Sequence, residues 1–429
     1  MLRYGTLVAT SSAVADTTNR PADTPTDFRY WEALERPGVR RLRAISRRVL
    51  GFDPCPPDAA ARMLCEDLRA GDPVAERFVD EVLFGPAGPR AGRHLLDRAL
   101  AEGIDAVHDP PEAMRALFAE FEPVPDWVDC DLVEEGARIW RRWGTSLFAF
   151  AGAETLEMYT ESAVAVPLSL AGGYAGDAAL RRFLETVRFW IDVSEPGDLF
   201  RIGSDGRATA MRVRVMHVSV RRRVAEHPEW DAGRWGLPIS QTYMLLTLMG
   251  GSVAPGLGLW AAGYQTSPRE IRALLHYQRY LGYLLGVRPR FYPETVRESL
   301  QVLGLAVLSR SYTAGPHGAE LIESFPRAFE PTSRTDLRGR YDYAAIAALI
   351  ALTMSPNTRA RHDVPPVFPW IGLLPARFPL IAATELARRF VPGAEPALDR
   401  SQRRRRERWY QRHMRGREVV FEAASGLRR

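Results

Sequence analysis

Two short stretches hold the residues best suited to chemistry: Arg181-Arg182-Phe183-Leu184-Glu185-Thr186 and Arg212-Val213-Arg214-Val215-Met216-His217-Val218-Ser219-Val220-Arg221. The second offers a candidate metal-ligating imidazole, His217, with Val213, Met216, Val218 and Val220 as apolar neighbours. Spacing alone leaves the alternative open, because a histidine in such a setting is more often a packed core or partly exposed residue. Seven other histidines compete, and none has a metal-pair spacing such as His-x-x-x-His. The first stretch puts Arg182, Glu185 and Thr186 within one helical turn, where they form a polar set that could face the imidazole across a pocket. A surface arginine and a threonine bonded to its own backbone is the alternative there.

Such side chains need rigid elements, and most of the chain reads as helix. Asp109-Pro110-Pro111-Glu112 resembles an N-cap with proline in the first turn, and Met114, Leu117, Phe118 and Phe121 follow at helical spacing. Leu132 to Phe150 reads as one helix through Ile139, Trp140, Trp143, Leu147 and Phe148. Glu270 to Leu285 is a further helix with Gly286 as its C-cap. Pro293 is read as starting the next, with Val296, Leu300, Leu303 and Val307 inward, and Tyr343 to Met354 as an alanine-rich buried helix. The stretch Pro365 to Pro379 is loop-like. The His217 segment is ambiguous. It opens with charged and apolar residues in alternation, and its four valines favour a strand.

Composition removes several chemistries. The chain has 429 residues and no lysine, so a Gly-Lys phosphate loop, a Schiff-base lysine and a lysine general base are impossible. Cys55, Cys65 and Cys130 form no Cys-x-x-Cys and no disulfide framework, which fits a reducing compartment. Neither Gly-x-Ser-x-Gly nor His-Glu-x-x-His occurs. Trp235 to Pro268 carries no charge but holds Pro238, Pro255 and six glycines, and reads as a buried, interrupted helix pair rather than a membrane span. The arginines from Arg403 to Arg417 read as a solvated basic tail, with contact to an anionic membrane surface as the alternative. Residues 1–27 make a poor export signal and read as a disordered tail.

The order of motifs resembles the heme b oxygenase superfamily of latex clearing proteins (rubber oxygenases) and fungal mycophenolate-pathway oxygenases. The resemblance rests on Leu68-Arg69-Ala70-Gly71-Asp72-Pro73, Val124-Pro125-Asp126-Trp127-Val128, Arg182 with Thr186, Arg214 with His217 and Arg221, Pro238-Ile239-Ser240-Gln241, and Leu285-Gly286-Val287. It covers roughly residues 60–310. It implies an all-α fold with a globin-like core, decides for helix at Arg212–Arg221, and makes His217 the proximal ligand of heme iron. It also implies that Arg182 and Thr186 lie near the oxygen side, and that Arg214 and Arg221 are cofactor-binding candidates. Two places depart from the pattern. In the latex clearing branch a lysine precedes the threonine, and Glu185 stands there in this chain. That branch also carries an upstream glutamate base; the matching place is near Ala163, two positions from Glu161.

The resulting expectation is a cytoplasmic heme b-dependent oxygenase taking an apolar small molecule and dioxygen, with no specific nucleic-acid partner. Arg182, Glu185 and Thr186 are its expected catalytic set. A non-catalytic heme-binding or sensing protein and a peripheral membrane protein are the rivals. The expected organisation is an accessory helical region over 28–125, a heme-binding core over 126–310, a helical region over 311–395 and a basic tail over 396–429.

Overall fold

The computed structural model describes residues 20–172, 178–331 and 333–414, and among them there are helices and no strands. Twelve helices build the part that concerns function. They are α1 (Cys130–Trp143), α2 (Thr145–Met158), α3 (Ser162–Leu170), α4 (Ala178–Val193), α5 (Asp205–Ala225) and α6 (Gln241–Gly250). They continue with α7 (Pro268–Leu284), α8 (Val296–Leu308), α9 (Gly315–Arg327), α10 (Leu337–Thr353), α11 (Leu373–Phe390) and α12 (Ala394–Met414). Further helices between Tyr30 and Phe121 precede this assembly.

The ambiguous segment is helical, and tertiary contact explains why its valines do not make a strand. α5 runs for 21 residues, and most of them are buried, including Val213, Val215, Val218 and Val220. Apolar residues on nearly every side suit a helix enclosed by others, which outweighs a local strand preference of about 1 kcal/mol or less per residue. α4 lies along it, and Thr209 Oγ1 donates to Asp192 Oδ2 at 3.2 Å.

Several boundaries differ from the sequence reading. The expected helix Leu132–Phe150 is broken at Gly144, whose φ of 57° ends α1 and starts α2 in a new direction. Asp109 does not cap the helix at Glu112; it has a φ of 46°, and Pro111 precedes the first turn. α8 begins at Val296 rather than Pro293, because Thr295 and Glu298 close a reciprocal capping box there. Val307 points outward. The loop-like proline stretch is already helical from Leu373.

Both expected tails are partly folded. Residues 1–19 and 415–429 lie outside the described residues. Residues 20–27, however, dock on the core. Thr24 and Asp27 are buried, and Asp27 accepts from Trp235 Nε1 at 3.0 Å and from Thr313 Oγ1 at 2.8 Å. α12 is no solvated strand of charge, since Trp409, Tyr410 and Met414 are buried and Arg406 is fully enclosed. Arg406 donates to Ser194 Oγ at 2.8 Å and to Glu195 at 3.1 Å, so its charge has partners.

The uncharged stretch folds into α6, a short helix Val253–Gly258 and a tight turn over Leu259–Ala262. By length and composition Gln241–Ala262 is apolar enough to cross a membrane, but a little over half of it is buried inside the protein.

Candidate functional site

Of the eight histidines, His217 and His362 bury an unmatched Nδ1, and His362 has a carboxylate beside it. His94 and His108 are exposed. His227 accepts from Glu229 N, His276 from Asp129 N, and His317 bonds Ser169 Oγ and Glu229. His362 lies 3.6 Å from Glu323, and His413 bonds the Trp409 carbonyl. His217 has no hydrogen-bond partner, and its Nδ1 is buried and unmatched. Protein surrounds the ring, yet part of the residue's surface stays open. Burial, helped by the charge of Arg221, pushes its pKa down to about 4. The imidazole is therefore neutral at neutral pH, the form that binds a metal.

The arginines on either side of His217 are engaged by protein groups. Arg214 is buried and pairs in fork geometry with Asp72, at 2.7 and 3.0 Å, and with Glu120 at 2.9 Å. Arg221 donates to the Pro238 carbonyl at 3.1 Å, the Ile239 carbonyl at 2.7 Å and Glu76 at 3.1 Å. Protein groups thus occupy the donors expected to bind a cofactor; only Arg214 Nη1 is buried and unmatched. Both arginines clasp α5 to neighbouring segments, one turn before His217 and one turn after it.

Those clasps explain why motifs scattered through the sequence belong together. Asp72 caps the helix Pro73–Phe78 while pairing with Arg214. Gln241 donates to the Gly71 and Gly286 carbonyls and accepts from Arg288 N. Gly286 has a φ of 77°, and a Cβ there would lie 2.0 Å from Asp72 Oδ2 and 2.7 Å from Arg214 Nε, so only glycine fits. Ile239, held by Arg221, is a non-glycine residue at a φ of 51°, a strained conformation kept by its surroundings.

On α4, Arg182, Glu185 and Thr186 are brought together and close on one another. Arg182 Nη1 donates to Glu185 Oε2 at 2.8 Å, and Thr186 Oγ1 donates back to the Arg182 carbonyl at 3.2 Å. Arg182 Nε is buried and unmatched.

Neither position near the expected base is free to act as one. Ala163 is packed with Val166, Val220 and Trp230. Glu161 is buried and accepts from Ser311 N, Ser311 Oγ and Tyr312 N at 2.9 to 3.2 Å. Both border a void of about 10 Å³, room for one water, beside Tyr243.

Sequence reasoning missed Glu154 on α2. Protein surrounds its carboxyl, yet it keeps some open surface and has no hydrogen-bond partner. Burial raises its pKa to about 8, against a weak opposing pull from Arg310. It lies beside α6: a Cβ on Gly250 would be 3.7 Å from Glu154 Oε1. At the other end of α6, Tyr243 packs with Met216 against the Val220 and Val224 face of α5. One helix therefore borders Glu154 at one end and the Val220 face of α5 at the other, its two ends about 10 Å apart at 1.5 Å per residue. An acid inside the apolar helix α2 was the available signal.

A second cavity, of about 470 Å³, opens between α1, α7, α11 and α12. None of its lining residues is on α4, α5 or α6, so it is separate from the His217 region.

A sequence model of the family described as "ER-bound oxygenase mpaB/B'/Rubber oxygenase, catalytic domain" matches residues 137–415. The chain belongs to that family of oxygenase catalytic domains. The match runs through α12, past the core limit of 310 expected from sequence. A rubber oxygenase of Streptomyces sp. strain K30 is 26% identical over 208 residues, 46% of this chain and 47% of its own length. The matched stretch thus spans about half of that relative. A solved structure of a latex clearing protein in its closed state superposes with a TM-score of 0.59 at 19% identity, covering 84% of this chain and 93% of that one. That likeness supports the all-α fold.

Proposed function

We propose that the protein is a heme b-dependent oxygenase acting on an apolar small molecule, with His217 as the iron ligand. The observation that carries the reading is the buried, neutral and unpartnered imidazole at the family's histidine position. Among the described residues no three His, Cys, Asp or Glu side chains converge as a metal site. A single imidazole suits a metal whose other donors come from a macrocycle. When bound, heme b supplies dioxygen activation. The chain's own residues do the rest. The Arg214 and Arg221 clasps fix the His217 helix. Glu154, protonated at neutral pH, holds a proton in an apolar setting and can deliver or exchange it. Uncharged α6 gives an apolar wall.

The pairing of Glu185 with Arg182 and the engagement of Glu161 with residues 311–312 favour a small substrate over polyisoprene. The test is incubation of heme-loaded protein with dioxygen, a reductant and a set of apolar alkenes, beside rubber latex, with products read by mass spectrometry. Oxygenated alkene products and no carbonyl-ended oligomers are expected. A heme-loaded protein that yields no product from any of them would favour the sensing role instead.

A further inference from the structure

The cavity of about 470 Å³ between α1, α7, α11 and α12 has two unlike ends. α11 and α12 meet at residues 391–393, where Arg388 of one lies 3.5 Å from Glu395 of the other. The acids of the lining belong to this end, and pairing holds them. Glu270 pairs with Arg388 at 3.0 Å, Glu385 with Arg142 at 3.2 Å and Glu395 with Arg138 at 3.0 Å. Glu135 stands one helical turn before Arg138, on the side of the turn. Asp399, one turn after Glu395, is held by Arg141 at 2.8 Å.

The other end lies at the break between α1 and α2. There Arg377 of α11 donates to Ser146 Oγ at 2.9 Å, and a Cβ on Gly144 would sit 2.5 Å from Gln402 Oε1 of α12. The α1–α2 junction thus brings Arg377 and Gln402 to one place, and Arg405 follows Gln402 on the same helical face. Neither Arg377 nor Arg405 has a carboxylate partner among the described residues. Arg377 spends one donor on Ser146 and lies over the Tyr341 ring, 5.7 Å from its centroid, while Arg405 is exposed at the mouth. Between the two ends the wall is apolar, built from Ile139, Leu380, Ile381 and Leu398.

This layout selects a ligand with one anionic head and an apolar body. Two guanidinium groups with donors to spare recognise a carboxylate well, because the N–H fork matches its two oxygens. The arginines at the turn are already matched by acids, so that end offers nothing to a second anionic group. From Arg377 to Thr384 the α11 wall runs about 10 Å at 1.5 Å per residue, room for one chain of medium length. The cavity's size is also that of a small-molecule site, about 300–1,000 Å³.

We propose that this cavity binds a monocarboxylate with an apolar chain, its head group on Arg377 and Arg405 and its chain along Leu380, Ile381 and Leu398. No lining residue comes from α4, α5 or α6, so the site is distinct from the His217 region. It stands whether or not the heme reading holds.

The test is isothermal titration calorimetry of the full chain with octanoate, beside 1-octanol, which has the chain without the charge, and acetate, which has the charge without the chain. One octanoate per chain is expected, bound at least about ten-fold more tightly than either control. Arg377→Gln/Arg405→Gln should weaken octanoate by about ten-fold or more, with melting in the absence of ligand unchanged. Arg405→Gln alone alters only an exposed residue and should weaken it by about three-fold, which keeps the test open if the Ser146 bond matters to folding. Arg404→Ala/Arg408→Ala, exposed cations of α12 outside the cavity, should bind as wild type does. Wild type that binds no octanoate, or binds 1-octanol equally well, overturns the proposal. So does octanoate binding that the Arg377 and Arg405 substitutions leave unchanged, because the ligand would then sit elsewhere, or that Arg404→Ala/Arg408→Ala weakens as much.

Discussion

Two buried polar regions of this protein obey opposite rules. Under α11 and α12, charge is kept by pairing. Arg142, Glu270, Glu385 and Arg388 link through contacts of 2.5 to 3.2 Å. Burial alone would raise the pKa of Glu270, but Arg142, the Ser267 amide and Arg388 together bring it down to about 2. Around α5 and α6 two groups, His217 on α5 and Glu154 on α2, lack hydrogen-bond partners, and they stay neutral instead. His217 is pushed down to about 4 and Glu154 up to about 8. Paired charge stabilises geometry and leaves nothing for a ligand. Unpaired neutral groups weaken the fold and remain available for chemistry.

The comparison breaks most visibly at a paired site. Glu385→Ala leaves Arg142 and Arg388 short of a buried carboxylate, and should destabilise the protein by about 3–5 kcal/mol. Chemical denaturation with an unchanged m-value is the measurement; a loss below about 1 kcal/mol would mean the network is already solvated.

The neutral region can be probed by pH. Glu154 has a folded pKa of about 8, above its ordinary 4.5, so its contribution is full below pH 4.5 and is lost as pH rises through 8. Glu154→Gln should remove that alkaline loss of stability while preserving the fold. His217 works in reverse. Its contribution is full above 6.5 and is lost as pH falls through 4. Glu270 adds no change until pH falls below 4.5 and through about 2. Melting curves of wild type and Glu154→Gln across pH 5–9 decide the point, and parallel curves for the two proteins would contradict the assignment.

The smallest effect concerns α4. Because Arg182 holds Glu185 at 2.8 Å, heme-loaded ferric protein should be high-spin by electron paramagnetic resonance, with no nitrogen ligand from this helix. Glu185→Lys should shift part of the signal to low-spin. A low-spin wild type would mean that another side chain reaches the metal.

Much of the fold was legible, because long apolar periodicities such as Glu270–Leu285 survive in any context. The break at Gly144 was not, since the Ile139–Phe148 periodicity runs through it and only φ reveals the turn. At the site, the motif order pointed to His217, whose Nδ1 the structure leaves buried and unmatched. It did not reveal that Arg214 and Arg221 are clasps, because their partners Asp72 and Glu76 lie more than a hundred residues upstream. Glu154 carried no motif, and its isolation is a property of packing. The arginines of α12 looked solvated because the buried glove for Arg406, formed with Ser194 and Glu195, is likewise remote in sequence.

Heme content by the pyridine hemochrome assay tests the central claim most directly, on wild type and His217→Ala expressed with added heme precursor. About one heme b per chain is predicted for wild type, with most of it lost in a variant that remains folded and helical, since His217 would be the residue that holds the iron under the proposed function. A colourless wild type, or a His217→Ala protein that keeps full heme, would contradict the account.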